Sequence, residues 1–292
     1  MPRRFGCAAL VALALAGCQP APLPADPALW RIDGPHGERG WLFGTIHTLP
    51  GPVDWRTSQV AAALRGSDRL VVEIATLDDA TADALVFQRM AQAPAQPPLS
   101  AKLPPALRPA LARLLAGDEL DEAAFAHVAT WAAALRLAQI AENSGTDRAD
   151  ASWGIDQALL AGRGDEPVIE LEGMERQLGV FARLPEAGQR RLLADVIAGA
   201  RGAVADSRRL AAAWRCGDMT TIAAETRRGM LADPALREAL YTARNRDWTQ
   251  RIATLLTRGL RPFVATGAAH MAGDDGLPAL LAARGYRVTR IE

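Results

Sequence analysis

The segments LFGTIH (residues 42–47) and VATGAAH (residues 264–270) carry the same pattern near opposite ends of the chain. Each is an apolar stretch typical of a strand, followed by Gly-x-x-His and a loop with further glycine. Catalytic and ligand side chains often lie on loops at the ends of rigid strands. If the two strands are neighbours in one sheet, His47 and His270 converge on a shared site.

The glycines of the two motifs, Gly44 and Gly267, allow a close backbone approach that a side chain would block. The sequence has only four histidines. His36 lies in a predicted turn, and His127 lies in a predicted helix beside apolar residues, so both are interpreted as structural. The candidate site therefore depends on the two motif histidines.

Hydrophobic periodicity predicts strands near both chain ends and helices between them. Strands are expected at 29–33, 41–46, 69–75, 167–172, 261–265 and 286–291. Helices are expected at 54–66, 79–90, 105–116, 122–142, 154–161, 185–201, 205–215, 218–230, 234–257 and 277–284. The fold class is therefore α/β (α+β mixed), with a central sheet built from both chain ends and a large helical insertion. The pattern leaves open whether that insertion caps the sheet.

Residues 1–17 have the features of a lipoprotein signal peptide: a basic head, a short apolar run and small residues before Cys18. The apolar run is too short to span a membrane. We expect Cys18 to be acylated and to become the first residue of the mature protein, although an ordinary cleaved signal is the alternative. Residues 18–28 are proline-rich and favour an extended tether, and residues 29–292 form one domain.

The expected location follows from this signal. We expect an exported lipoprotein that is attached to the membrane through its lipid anchor. The residue after Cys18 is Gln19 rather than aspartate. By resemblance to enterobacterial sorting signals, this favours the periplasmic side of the outer membrane if the host has two membranes.

Composition excludes several classes of function. Acidic and basic residues number 33 each, and no basic stripe with interleaved aromatic residues appears, so nucleic acid is not an expected partner. Only Cys216 remains outside the signal and the acylation site, which excludes an internal disulfide and a cysteine zinc site. The sequence does not fix the oligomeric state.

Further segments accompany the two motifs in a fixed order along the chain. They are Glu73 at the end of an apolar run, Trp153-Gly154-Ile155-Asp156-Gln157, Leu171-Glu172 with Gln177, Arg244-Asn245, and Gly273 with Gly276. This ordered set resembles the TraB/GumN/Tiki family over residues 29–292, in its bacterial GumN-like lipoprotein branch. The resemblance implies a fold similar to the erythromycin-esterase and ChaN-like group. It also implies a metal-dependent protease that uses both motif histidines and a glutamate, with Mn²⁺ or Co²⁺ as cofactor.

The residues themselves form a plausible metal site. His47, His270 and Glu73 supply two imidazoles and one carboxylate, which suit a divalent ion and leave positions open for water and substrate. Zn²⁺ is also possible on this chemistry. A metal-free alternative uses His47 as a general base that Glu73 orients. A third interpretation makes Glu73 a structural partner of a buried arginine.

Four other residues are candidates for supporting roles. Arg244 is placed in the catalytic set because it could hold a substrate carboxylate or an oxyanion. Asp156 either caps a helix or belongs to the site, and Glu172 either supports the site or forms a salt bridge. Asn245 is a poor helix former within a predicted helix, which indicates a side-chain role.

Three classes of function follow. The first is an envelope-anchored, metal-dependent hydrolase, a peptidase in the first instance, with a peptide or small-molecule substrate. The second is a binding protein without activity, for a peptide or a haem-like ligand. The third is an accessory lipoprotein of the cell envelope. The intact set of His47, Glu73 and His270 favours the first class, because a scaffold would not need it.

Overall fold

The computed structural model describes residues 21–76, 80–144, 150–162 and 167–292. The predicted signal peptide and Cys18 lie outside these residues. Within them the fold is mixed α/β, as predicted, and its central sheet draws strands from both ends of the chain.

The inner strands of the central sheet are short and mostly apolar, which suits a sheet covered on both faces. In chain order the strands are β1 (Leu23–Pro24), β2 (Leu29–Asp33), β3 (Arg39–Thr45), β4 (Val53–Asp54), β5 (Arg69–Val72), β6 (Val168–Glu170), β7 (Pro262–Gly267) and β8 (Arg287–Arg290). Six of them form one sheet in the order β6-β5-β7-β3-β2-β8. The first four of that order run parallel, and β2 is antiparallel to both its neighbours. The strands predicted at 29–33 and 41–46 correspond to β2 and β3, which pair as an antiparallel hairpin.

Most helices lie in the middle of the chain, and two more precede and follow β7 in the sequence. They are α1 (Ser58–Gly66), α2 (Ala80–Ala91), α3 (Leu99–Lys102), α4 (Arg108–Gly117), α5 (Thr130–Glu142), α6 (Ile155–Ala161), α7 (Met174–Ala182), α8 (Glu186–Gly199), α9 (Ala203–Arg215), α10 (Met219–Glu225), α11 (Pro234–Arg237), α12 (Ala243–Thr257) and α13 (Leu277–Ala283). A π-helical turn, Glu238–Thr242, joins α11 to α12.

Alternate residues of the central strands face opposite layers, as the strand period requires. Phe43 and Phe263 pack on one face with residues of α1, α6 and α9. Leu42 and Val264 pack on the other face with residues of α12 and α13. The site-bearing strands are therefore held from both sides, which fixes the positions of the loops that follow them.

A third apolar core lies within the helical middle of the chain. Residues of α5 and α8, including Trp131 and Leu192, bury their side chains against each other and against α2 to α4 and α7. This helical region supplies Phe181 to the wall of the cleft described below and Val196 to the wall of the cavity that adjoins it. It therefore covers one side of the candidate site.

The single helix predicted over 122–142 is wrong. A 3₁₀ turn at Glu122–Phe125 is capped by Asp121, and α5 begins only at Thr130. Between them the backbone carbonyl of His127 accepts a hydrogen bond from the loop after α2, which draws this stretch out of helical geometry. His127 is thus an exposed turn residue rather than a helical packing residue.

The helix predicted from residue 54 begins later, at Ser58. Residues Val53–Asp54 instead form the short strand β4, which pairs with β1, and Thr57 caps α1 through its hydroxyl. The amide of Asp26 also donates to the carbonyl of Arg215. The second half of the expected tether therefore lies against the domain. No helix in the described ranges has the length and apolar character needed to cross a membrane.

Candidate active site

Three predicted site residues lie where the carboxyl ends of parallel strands meet at one edge of the sheet. Glu73 directly follows β5, Gly267 ends β7, and His47 lies just beyond the end of β3. The register pairs Thr45 with Gly267, so the two Gly-x-x-His motifs lie side by side, one residue out of step. His270 follows in the 3₁₀ turn after β7. Ligands of open α/β sheets commonly bind at this edge.

The missing side chain of Gly267 leaves a space that the other three residues surround. A Cβ atom at this position would lie 3.5 Å from Glu73 Oε1, 3.8 Å from His47 Nε2 and 3.9 Å from His270 Cδ2. One carboxylate and two imidazoles therefore face a common point. Chain segments from three strands have converged on it.

The imidazole of His47 is oriented by a carboxylate. Its Nδ1 lies 2.8 Å from Asp156 Oδ2, and Asp156 Oδ1 accepts the hydroxyl of Thr45 at 2.6 Å. An ionised carboxylate only accepts, so Nδ1 of His47 donates the proton. The Nε2 atom is consequently the one presented to the space beside Gly267.

Asp156 reaches His47 because the segment before α6 lies directly on the loop after β3. The amide of Ile155 donates to the carbonyl of Ile46 at 2.9 Å. A Cβ on Gly154 would lie 2.3 Å from the His47 carbonyl oxygen, so this approach requires glycine. Gly154 also occupies the N-cap of α6. Asp156 is therefore not the N-cap residue of α6, and its carboxylate pairs with His47.

The pairing shifts the protonation of both groups. Attraction to the Asp156 carboxylate raises the pKa of His47 to about 9, although partial desolvation of the imidazole acts in the opposite direction. Burial works to raise the pKa of Asp156, but the charge and hydrogen bond of His47 and the hydroxyl of Thr45 outweigh it, so that pKa is lowered. The His47 side chain is 63% exposed within the cleft, so solvent weakens the attraction.

His270 has a different environment. It is 8% exposed, and its Nδ1 lies 2.5 Å from Asn245 Oδ1. The Asn245 amide donates to the carbonyl of Asp275 at 2.7 Å, which leaves its oxygen to accept from the imidazole. The ring stacks on Tyr241 with 5.4 Å between ring centres, and its centre lies 4.6 Å from that of the Trp248 ring. Nε2 is again the nitrogen left for the site.

Tyr241 also fixes the backbone that carries His270. Its hydroxyl lies 3.1 Å from the carbonyl oxygen of Ala269 and 2.7 Å from that of Ala272. Tyr241 belongs to the π-helical turn, a feature that often marks functional positions. One helical segment thus holds both the ring and the turn of His270.

Burial keeps His270 neutral. Desolvation, reinforced by the positive charges of Arg244 and His47, lowers the pKa of His270 well below its ordinary value. The two motif histidines therefore differ in charge near neutral pH, although both rings border the space beside Gly267.

Arg244 links the carboxylates of the site. Its guanidinium lies 2.6 Å from Glu172 Oε2, 3.2 Å from Glu73 Oε2 and 3.4 Å from His270 Nε2. Glu172 is thus a salt-bridge partner of Arg244, one of the two interpretations given for it. Glu73 also accepts the amide of Gly267 at 2.7 Å. Burial raises the pKa of Glu73 despite the opposing charges of His47 and Arg244.

Gly44 allows close packing of the backbone next to the site. A Cβ there would lie 3.1 Å from both Cα and Cβ of Ala268, so the glycine lets β3 pack closely on the turn that carries His270. Its carbonyl accepts the indole N–H of Trp214 at 2.7 Å, which ties α9 to the first motif.

Sequence reasoning missed Thr45, Tyr241 and Trp248. The signal for two of them was present, because Tyr241, Asn245 and Trp248 follow helical spacing and share one face. Thr45 gave no comparable signal, since its partner Asp156 is distant in the chain. His36 and His127 are exposed and do not line the cleft.

A cleft of about 610 Å³ opens over this edge of the sheet and is lined by His47, Glu73, His270 and Arg244. A second cavity of about 390 Å³ adjoins it and shares His47 as a wall residue. The combined space is large enough for several residues of a peptide or for a small molecule. Of the residues that the structure describes, no three histidine, cysteine, aspartate or glutamate side chains are already arranged to hold a metal ion.

Comparison with known proteins gives one family. The model of the TraB/PrgY/gumN family matches residues 28–290, nearly the whole chain. No curated protein and no solved structure matches the chain.

Proposed function

The chain belongs to the TraB/PrgY/gumN family, and from this premise and the geometry of the cleft we propose that it is a metal-dependent hydrolase that cleaves peptide bonds. One observation carries the proposal: Glu73 Oε1, His47 Nε2 and the ring of His270 all lie within 4 Å of the empty Cβ position of Gly267. Two imidazoles and a carboxylate that face one point form a donor set that suits a divalent ion.

The donor set fits a divalent ion in its chemistry. Metal-binding histidines generally donate their other ring N–H to a carboxylate or carbonyl, which fixes the tautomer. His47 does so to Asp156 and His270 does so to Asn245. We propose that His47, Glu73 and His270 hold Mn²⁺ or Co²⁺, with Zn²⁺ as a further candidate. The ion would polarise a substrate carbonyl and acidify water at the site.

The remaining residues prepare the site. Asp156 and Asn245 each accept the Nδ1 proton of one imidazole, so Nε2 is the nitrogen that would bind the ion. On metal binding His47 would release its Nε2 proton. Gly267 contributes open space rather than a side chain. The buried ion pair of Arg244 with Glu172 places a guanidinium beside Glu73, where it could also stabilise negative charge on a substrate.

A metal-free hydrolase is the second candidate, and the position of Arg244 favours it. The guanidinium already supplies a positive charge next to Glu73 and His270. In that version His47 exchanges protons with water or the leaving group. The two candidates share residues and differ in whether activity survives removal of metal.

The test combines metal content with cleavage. Full-length mature protein is stripped with a chelator, reloaded separately with Mn²⁺, Co²⁺ or Zn²⁺, and assayed for bound metal and for cleavage of a peptide library. His47→Ala should lose both, while His127→Ala, an exposed histidine outside the cleft, should retain both. Cleavage that persists without metal supports the metal-free version. Absence of cleavage under every condition contradicts the peptidase proposal.

We also propose that Cys18 carries a lipid anchor that attaches the domain to the cell envelope. The support is the segment LAGC (residues 15–18) after a short apolar run. Since Leu23 already pairs with Val53 on the domain, the free chain from Cys18 spans at most roughly 17 Å. The domain would therefore lie close to the membrane surface. Mass spectrometry of the mature N-terminus should find an acylated cysteine, and Cys18→Ala should release the protein from membranes.

A further inference from the structure

The guanidinium of Arg244 contacts the free ring nitrogen of His270 and one carboxylate oxygen of Glu73, two of the three side chains proposed as metal ligands. Its Nη1 lies 3.4 Å from His270 Nε2, and its Nη2 lies 3.2 Å from Glu73 Oε2. Nε2 is the only nitrogen of His270 not committed to Asn245. A guanidinium donates hydrogen bonds to these lone pairs and also repels a cation through its own charge.

The contacts that fix Arg244 most firmly lie elsewhere. Nε and Nη2 donate to Glu172 Oε2 at 3.0 and 2.6 Å, and Nη1 donates to the carbonyl of Leu240 at 3.1 Å. The guanidinium carbon also lies 4.6 Å from the ring centre of Trp248. The side chains of Arg244 and Glu172 are 13% and 8% exposed. This pair can persist when the weaker contacts to Glu73 and His270 are given up.

On the basis of the proposed metal site, we propose that the Arg244 guanidinium supplies the positive charge beside Glu73 and His270 in the metal-free protein. It competes with the metal ion for these two residues. On metal binding, Arg244 releases these two residues and stays paired with Glu172. Neither carboxylate is then buried without a counter-charge in either state. The arginine thus keeps the empty site folded and sets the threshold of metal affinity.

The experiment measures binding of Zn²⁺ alone by calorimetry, on chelator-treated, full-length mature protein. The double variant Arg244→Gln/Glu172→Gln removes one cation and one anion together, so no buried carboxylate of this pair loses its partner. The matched control, Arg251→Gln/Asp247→Asn, removes a similar pair from the outer face of α12. We expect the double variant to bind Zn²⁺ at least about tenfold more tightly than wild type, and the control to bind as wild type does.

Unchanged or weaker binding by the double variant overturns the inference, as does an absence of binding by both proteins. If the double variant does not fold, the test uses the NMR signal of the Arg244 Nε–H in wild-type protein. This signal is assigned by its absence from the spectrum of Arg244→Lys. Zn²⁺ should shift this signal, and an unmoved signal overturns the competition. Wild-type protein that binds metal but cleaves no peptide contradicts the proposed peptidase while leaving this inference intact.

Discussion

The two Gly-x-x-His motifs end adjacent parallel strands, yet their histidines have opposite environments. His47 is exposed in the cleft and paired with the Asp156 carboxylate, whereas His270 is buried, paired with the neutral Asn245 and enclosed by Tyr241. One is held in its charged form and the other in its neutral form. The motif therefore fixes where each imidazole lies, while residues from other segments decide its charge and mobility.

Removing each histidine in turn should produce the largest effects and separate activity from stability. His47→Ala and His270→Ala should each reduce cleavage at least about 1,000-fold, because each removes one of three proposed ligands. Their stabilities should differ. His270→Ala opens a cavity between aromatic rings and removes the imidazole that donates to the Asn245 side-chain oxygen, costing about 2–3 kcal/mol of unfolding free energy. His47→Ala is at an exposed position and should cost about 1 kcal/mol or less.

Urea unfolding of the two variants beside wild type checks this contrast. His36→Ala, an exposed histidine in the β2–β3 turn, is the control and should match wild type in both assays. Equal destabilisation by His47→Ala and His270→Ala would mean that the two environments are energetically alike, against the contrast drawn above.

The glycines of the two motifs should also differ when changed. Gly267 has φ −48°, which alanine adopts freely, and its added Cβ would make ordinary contacts with Glu73, His47 and His270. Gly267→Ala should therefore fold well but fill the proposed metal position and lower metal affinity about 100-fold. In Gly44→Ala the new Cβ is only 3.1 Å from Ala268, which should cost about 1–3 kcal/mol of stability.

Calorimetric metal titration and thermal unfolding of both glycine variants separate these outcomes. If Gly267→Ala binds metal as wild type does, the ion does not use the space beside residue 267. If Gly44→Ala is as stable as wild type, the close packing of β3 on the turn after β7 is not rigid.

Much of this fold was predictable from local pattern, and the reason is physical. Strands β2, β3 and β7 are short, apolar and bounded by turn residues, so their hydrophobic pattern and the flanking turn residues identify them. The repeated Gly-x-x-His motif suggested that β3 and β7 are neighbours in the sheet, as they are. The helix predicted across His127 failed because tertiary hydrogen bonds from the loop after α2 override local helical preference.

The site was predictable only in part. The residues that carry charge were visible as side-chain types in unusual places, as with Glu73 after an apolar run. Their partners were not, because the link of Thr45 to Asp156 and that of Arg244 to Glu172 depend on contacts between distant segments. The aromatic enclosure of His270 was overlooked although its spacing on one helix face was present in the sequence.

Changing the orienting partners should give intermediate effects. Asp156→Asn can keep a hydrogen bond to His47 but removes the charge, and Asn245→Leu removes the acceptor for His270. Changes of this kind around metal sites typically lower affinity about 10- to 100-fold. We expect the larger loss for Asn245→Leu, because a buried imidazole N–H is left without a partner while His47 can donate to water. Metal titrations compare the two, and a larger loss for Asp156→Asn would reverse the assignment.

The smallest effect concerns stability against pH in chelator-treated protein. The pKa of His47 is raised from 6.5 to about 9 in the folded state, so its stabilising contribution is full below pH 6.5 and is lost as pH rises through 9. His270 has the opposite sign. Its folded pKa is depressed, so the unfolded chain takes up its proton first and stability falls as pH drops below 6.5. Melting curves of wild type, His47→Gln and His270→Gln isolate each contribution by difference.

Between pH 6.5 and 9 the melting temperature of wild type should fall on the order of 1–3 °C more than that of His47→Gln, a small shift because solvent in the cleft screens the pair. Below pH 6.5 wild type should lose stability faster than His270→Gln. Asp156 is ionised throughout this range because its pKa is lowered, so it does not contribute to either slope. Parallel curves for wild type and His47→Gln above pH 6.5 would show that Asp156 orients the imidazole without holding its proton, and the two halves of the site would then differ in burial alone.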